Sequence, residues 1–294
     1  LINYANSDKG YYLGGWVGIS VISIEALTFN TETCIPIMSV LSSARHGLEG
    51  VNSSIKGYTM GGNTTTVVNT IDALTFSDET DIVIAATLNT ARYYAGGVNS
   101  STKGYAMGGC TSGLTTVFSM IDDLNFSTET SEVILATTVS GCAGASVSSS
   151  TKGYVMGGYT TVNTDLITSL TFDSETTSIL VATIGTARRY GAGMNSSTKG
   201  YCVGGYTSVG VSTIDDLDFS TEVSETLSAI LNVAKQRGCG VNSSTKGYDM
   251  GGYTTVRVTT IDDFTFNTEV SVPITATLYL AKWVGAGVQS GGYL

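Results

Sequence analysis

The chain has 294 residues, 42% of them hydrophobic, and a formal net charge of −10; it carries enough apolar material for a packed core and is too acidic for a general electrostatic grip on nucleic acid. Thirty-six glycines against two prolines point to many tight turns, without collagen or linker character. No apolar run reaches the length of a membrane span, so membrane insertion is not expected.

The chain opens at Leu1, partway through a repeat, as expected of a processed product or of one segment of a longer polypeptide. From Lys9 onward a Lys-Gly-Tyr phrase recurs, with its tyrosines at Tyr11, Tyr58, Tyr105, Tyr154, Tyr201 and Tyr248 and gaps of 47, 47, 49, 47 and 47 residues. A fixed period of this size is the mark of one supersecondary unit repeated in an array. Each unit predicts four short strands. The first is glycine-rich, as in "YAGGVNS" at 94–100 and "GAGMNSS" at 191–197. A Ser-Thr-Lys-Gly turn leads to a second strand in which Tyr105 and Met107 alternate onto one face,. The third carries Ile121 and Leu124, or Ile214 and Leu217, and a Ser-Thr-Glu-Thr turn leads to a fourth such as "DIVIAATL" at 81–88,.

Four-stranded antiparallel units repeated in a ring make a β-propeller, so the expected fold is all-β, a single domain over 1–294 with six blades. The first strand would line the axis, where small residues let blades approach. The chain begins before a second strand, "KGYYLGG" at 9–15, and ends after a first strand, "WVGAGVQS" at 283–290. The C-terminal strand is therefore expected to complete the N-terminal blade and leave the ring without an open seam.

The double glycines Gly14–Gly15, Gly61–Gly62, Gly108–Gly109, Gly157–Gly158, Gly204–Gly205 and Gly251–Gly252 each follow a strand with an aromatic residue. A basic residue precedes most innermost strands, at Arg45, Arg92, Arg188, Lys235 and Lys282, with Gly141 in its place in one unit. This pattern resembles the kelch repeat over nearly the whole chain, although the tryptophan usual in that family's fourth strand is absent. The Ser/Thr/Asn/Gly-rich, near-identical repeats are similar to the kelch-like proteins of bacteriophage virions. The resemblance implies a virion component, such as a tail, fibre or capsid decoration, that contacts other virion or surface proteins within a larger complex. A lectin-like module for acidic surface glycans is the alternative, and an intracellular kelch-type adaptor is a third choice. The corresponding location is a virion or extracellular surface.

Enzymatic chemistry is not expected. His46 is the only histidine, which excludes a histidine-based metal cage, and no motif supplies a Ser/His/Asp or Cys/His set. A glycosidase using two carboxylates stays formally open, but the connections are too short to build such a site. No cofactor or metal is expected. The aspartate pairs Asp122–Asp123, Asp215–Asp216 and Asp262–Asp263 lack a calcium loop and read as solubilising or edge-protecting charges. The five cysteines, Cys34, Cys110, Cys142, Cys202 and Cys239, share no spacing and read as buried free thiols,.

The two faces of the disc differ. One carries a repeated lysine, from Lys9 to Lys246, and a repeated glutamate, from Glu32 to Glu269, read as a solvated rim of weak ion pairs or as a docking ring. On the other, Trp16, Asn63, Cys110, Tyr159, Tyr206 and Tyr253 follow the double glycines. His46, Tyr93, Tyr94, Arg189, Tyr190, Gln236, Arg237 and Trp283 stand near the entrance of the innermost strands. With Arg45, Arg92, Arg188, Lys235 and Lys282 they compose a candidate channel mouth for an anion or a sugar, where arginine forks hold acid groups and aromatic faces stack on rings. On that reading Arg92→Ala with Arg188→Ala removes binding and spares folding. The competing reading has these arginines tying blades together through backbone carbonyls. Asn-Ser-Ser sequons recur at Asn52, Asn99, Asn195 and Asn242.

Overall fold

The computed structural model describes residues 8–139 and 141–291, which form six four-stranded antiparallel sheets arranged as a closed propeller. The blades are numbered here from the one that contains Lys9. Blade 3 shows the common plan, running outward from the axis through Gly96–Asn99, Lys103–Met107, Met120–Asn125 and Thr130–Thr137. In blade 1 the innermost strand is Ala286–Gln289, which pairs antiparallel with Lys9–Leu13 in the register Gly10↔Gln289 to Leu13↔Ala286. The last strand of the chain thus completes the first blade, as the repeat phase predicts. The other inner strands are Glu49–Asn52, Ala145–Ser148, Ala192–Asn195 and Cys239–Asn242.

Exposure changes with radius. The second strands are buried on both faces, as in Lys56–Met60, where every residue after the lysine is buried. The outer strands alternate between exposed and half-buried residues. Each core therefore lies between blades. One cluster joins Val51, Tyr58, Met60, Ile71 and Leu88 of blade 2 to Ala106, Leu124 and Phe126 of blade 3. The tyrosine of each Lys-Gly-Tyr phrase stacks on a phenylalanine of the next blade. Tyr11–Phe76, Tyr58–Phe126, Tyr105–Phe172, Tyr154–Phe219, Tyr201–Phe266 and Tyr248–Phe29 all have centroids 5.2–5.6 Å apart, within 12° of parallel. Offset stacking of this kind adds roughly 0.5–1.5 kcal/mol per pair beyond area burial.

At the axis the constraint is steric. A Cβ on Gly50, Gly240 or Gly287 would overlap the carbonyl oxygen of Gly287, Gly193 or Gly240 on the adjoining inner strand. Glycine recurs there because the backbones meet without room for a side chain, with Ser146 the exception in blade 4.

The repeated lysines and glutamates act across blades. Lys9–Glu79, Lys56–Glu129, Lys103–Glu175, Lys152–Glu222, Lys199–Glu269 and Lys246–Glu32 pair at 2.7–2.8 Å. The same glutamates accept hydrogen bonds from tyrosine hydroxyls, for example Tyr58 to Glu129 at 3.1 Å. All six glutamates sit in the left-handed region, at φ between 47° and 54°. The rim is thus half-buried, and it joins each blade to the next around the full ring.

Candidate binding face at the channel mouth

The segment entering each inner strand carries three consecutive positions with separate roles. The first is the basic position. Arg45, Arg92, Arg188, Lys235 and Lys282 are at most 1% exposed, so they do not ring the mouth as the binding reading expects. Arg45 donates to Gly61 O at 3.0 Å, Thr70 O at 2.8 Å and Thr59 Oγ1 at 3.1 Å, and it pairs with Asp72. Arg92 reaches Ala106 O at 3.0 Å and Asp122 at 2.5 Å. Arg188 reaches Gly204 O at 2.8 Å, Cys202 O at 3.0 Å and Asp215 at 2.5 Å. Lys235 pairs with Asp262 at 2.7 Å and Lys282 with Glu25 at 3.1 Å. The carbonyl of the same residue accepts an N–H from the blade before, Gly15 to Arg45 and Gly62 to Arg92 at 3.0 and 2.9 Å. Each cation therefore staples two blades together. Burial pulls the Arg45, Arg92 and Lys282 pKa values down, against the opposing pull of their acidic partners.

The aspartate pairs are correspondingly interior. Asp122, Asp215 and Asp262 hold the buried cations, while Asp123, Asp216 and Asp263 hold Lys103, Lys199 and Lys246 at 2.6–2.7 Å. They are structural partners, where the sequence reading had solubilising charges, because their strand lies between two packed layers. Among the described residues no group of His, Cys, Asp and Glu is arranged to hold a metal. All five cysteines are free, and all but the half-buried Cys34 are buried. Asn52, Asn99, Asn195 and Asn242 are at most 4% exposed, which closes these sequons to a modifying enzyme in the folded protein.

The junction between blades 3 and 4 lacks the staple. Gly141 stands at the basic position, and Thr168 occupies the site of Asp72, Asp122 and Asp215, opposite Val155 in the register. A cavity of about 30 Å³ lined by Gly141, Cys142, Thr164 and Thr168 marks the place.

The third position closes the mouth. Gly47, Tyr94, Ala143, Tyr190, Arg237 and Val284 all have φ between 53° and 64°. Each donates its N–H to the carbonyl of the equivalent residue one blade earlier, at 2.6–3.0 Å, from Gly47 to Val284 O round to Val284 N to Arg237 O. Left-handed backbone costs a non-glycine residue roughly 1–2 kcal/mol; here a closed circuit of hydrogen bonds holds five of them in it. Of the side chains at this position and the second, Tyr93, Cys142, Ala143, Tyr190, Gln236 and Val284 are buried, four of them in one apolar cluster, and the mouth presents the half-buried His46, Tyr94, Arg189, Arg237 and Trp283.

The second position pairs with the residue after each double glycine, as His46↔Asn63, Tyr93↔Cys110, Arg189↔Tyr206, Gln236↔Tyr253 and Trp283↔Trp16. An aromatic arc results. Trp16–His46, His46–Tyr93, Tyr93–Tyr94 and Tyr94–Tyr190 have ring centroids 4.8, 6.4, 4.2 and 5.3 Å apart. The Arg237 guanidinium lies 4.0 Å from the Tyr190 ring and 4.4 Å from the Trp283 ring. Arg189 sits 4.7 Å from Tyr159 and 5.0 Å from Tyr206, and donates to Asn163 Oδ1 at 2.8 Å. Buried Nε–H groups of both arginines, and the indole N–H of Trp283, have no acceptor among the described residues. Burial and the nearby Arg237 charge hold the His46 pKa below its usual range, so its ring is neutral at pH 7.

Of the 14 lysines and arginines, six form the rim pairs and five the buried staples. The remaining three, Arg189, Arg237 and Arg257, all lie on the mouth side. The structure thus brings together His46, Tyr93, Tyr94, Arg189, Tyr190, Arg237 and Trp283 and removes the five staple residues from the candidate site. Sequence reasoning missed the acidic partners. The joint change to Gly141 and Thr168 within one unit is the signal that could have revealed them.

Below the mouth runs an axial channel of about 150 Å³. Glu49 lines it where the other blades have Gly, Ala or Cys. Loss of hydration pushes its carboxyl up to about 8, against hydrogen bonds from Gly50 and Gly97 that lower it. No protein-family model matches the chain, and comparison with curated proteins returns no match.

Two outcomes are expected. Removing one member of a buried ion pair costs ~3–5 kcal/mol, so Arg92→Leu should lower denaturant stability on that scale. Thr168→Asp alone should destabilise, and adding Gly141→Arg should recover the loss, a positive coupling in a double-mutant cycle. The pH dependence follows from Glu49. The folded chain keeps this proton up to about pH 8, whereas its ordinary value is 4.5; unfolding therefore releases a proton, and stability falls as pH rises through that window. Asp81, pushed up to about 7, and Asp249, to about 6, act with the same sign. Glu49→Gln should flatten part of the decline in a pH series of urea unfolding, and an unchanged slope would contradict the assignment.

Proposed function

We propose that the protein is a rigid, non-catalytic recognition disc, carried on a virion or another extracellular surface, whose mouth face binds acidic glycans. The observation that carries this reading is the Arg237 guanidinium, clamped between Tyr190 and Trp283 at the channel mouth with no carboxylate partner among the described residues. Stacking covers the two flat faces of a guanidinium and leaves its edge donors for a carboxylate fork. The half-buried Trp283 and Tyr253 rings, 4.6 Å apart beside it, offer apolar surface to a sugar ring. Arg189, among Tyr159, Tyr190 and Tyr206, repeats the arrangement one blade away.

The ring of staples, stacked aromatics and rim pairs supports the rigid-scaffold part of the reading, since a virion part must keep its shape under load. The likeness of the repeats to kelch-like phage proteins supports the setting. The short connections between strands support a non-catalytic role. Contacts with neighbouring proteins of an assembly would use the rim and lower face, where the lysines and glutamates already pair with each other.

Glycan arrays and biolayer binding to uronic- or sialic-acid polysaccharides test the proposal. The wild type should prefer acidic over neutral chains and lose affinity as salt rises. Arg189→Gln with Arg237→Gln should weaken binding at least about tenfold, the scale of ~1.4 kcal/mol, while leaving the circular dichroism spectrum unchanged, because neither residue belongs to a staple. A wild type indifferent to acidic groups, or a double variant that binds as well, would refute the glycan reading.

A further inference from the structure

The far end of the axial channel carries polar groups that the mouth does not use. The last residue of every inner strand is polar, namely Gln289, Asn52, Asn99, Ser148, Asn195 and Asn242 in ring order. All line the channel and are at most 6% exposed. Strand alternation sends the preceding Val51, Val98, Val147, Met194, Val241 and Val288 into the cores between blades, which leaves these last residues at the axis.

The Asn99 and Asn242 amides and the Ser148 hydroxyl are engaged by the backbone of the preceding blade. Asn99 Oδ1 accepts the Asn52 N–H at 3.4 Å, Asn242 Oδ1 accepts the Asn195 N–H at 3.4 Å, and Ser148 Oγ accepts the Asn99 N–H at 3.1 Å. With its oxygen so engaged, the Asn99 amide has its Nδ2 donors left over. The Nδ2 atoms of both Asn52 and Asn99 are buried and have no hydrogen-bond partner among the described residues. Buried N–H donors without acceptors are rare because their lost hydration is not replaced.

An anion suits such donors better than a water molecule does. Water offers two lone pairs and must place two hydrogens of its own, whereas a halide accepts from several directions and donates nothing. Glu49, the carboxyl that lines the same channel, lies at the other end of its strand, roughly 10 Å away at ~3.3 Å per residue. The lower-face glutamates are neutralised by the rim lysines. We propose that this amide ring is a binding site for a small monovalent anion of the halide class, held on the propeller axis by Asn52 and Asn99. The anion adds a link between the inner strands of adjacent blades, so it acts on the stability of the ring and not on recognition at the mouth.

Bromide diffraction tests the site directly. Crystals of the wild type in sodium bromide should show an anomalous peak on the axis at about 3.2–3.5 Å from both Nδ2 atoms, near the long end of hydrogen-bond range. Asn99→Asp keeps the acceptor for the Asn52 N–H and removes the donors, so it should abolish the peak. The thermal midpoint should rise with chloride or bromide relative to gluconate at equal ionic strength in the wild type only. Axial density that shows no anomalous signal in bromide, or bromide confined to the outer surface, would overturn the proposal. Should the variant fail to fold, the wild-type map decides alone.

Discussion

A four-stranded blade with apolar residues on both faces can bury neither face alone, and this constraint organises the molecule. Each face needs a surface of complementary shape, and the nearest one available is another copy of the same blade. Tyrosine on phenylalanine, lysine on glutamate and glycine on carbonyl are contacts between unlike ends of one unit, so they propagate in one direction around the ring. Such a chain of contacts leaves nothing unsatisfied only when the last blade meets the first. Lys246 with Glu32 and Tyr248 with Phe29 make that closing contact.

Blade number, strand order and closure were legible in the sequence because they depend on period and phase, which a repeat displays openly. The fate of the arginines was not. A basic residue before a strand has the same appearance whether its side chain turns toward solvent or inward, and the acids that decide the matter lie about 30 residues later, in another strand. Asp122 and Asp123 looked like surface charge because adjacent acids in a strand normally place at least one in water. Here the third strand is covered on both sides, and each aspartate has its own cation. The mouth was half legible. His46, Tyr93, Arg189, Arg237 and Trp283 were identified from irregularity among the copies, yet nothing in their spacing announces the left-handed circuit that aims them.

Regularity and irregularity therefore mark different duties in this chain. Positions that hardly vary between repeats hold blades together, including the basic position that seemed suited to binding. Positions that vary while sharing one backbone conformation carry the chemistry of the mouth. Gly47, Tyr94, Ala143, Arg237 and Val284 show this clearly, since they have equivalent φ angles and equivalent hydrogen bonds but unrelated side chains. The seam at Gly141 and Thr168 fits the same division, for it loses both halves of a staple at once and leaves a void.

Hydrogen exchange read by mass spectrometry tests the closed ring most directly. If the six blades hold one another through a single circuit, the amides of Gly47, Tyr94, Ala143, Tyr190, Arg237 and Val284 should exchange together, only through global unfolding and with one free energy. Exchange of Gly47 and Val284 through a separate, lower-energy opening would show that the first and last blades are joined loosely, and the account built on closure would fail.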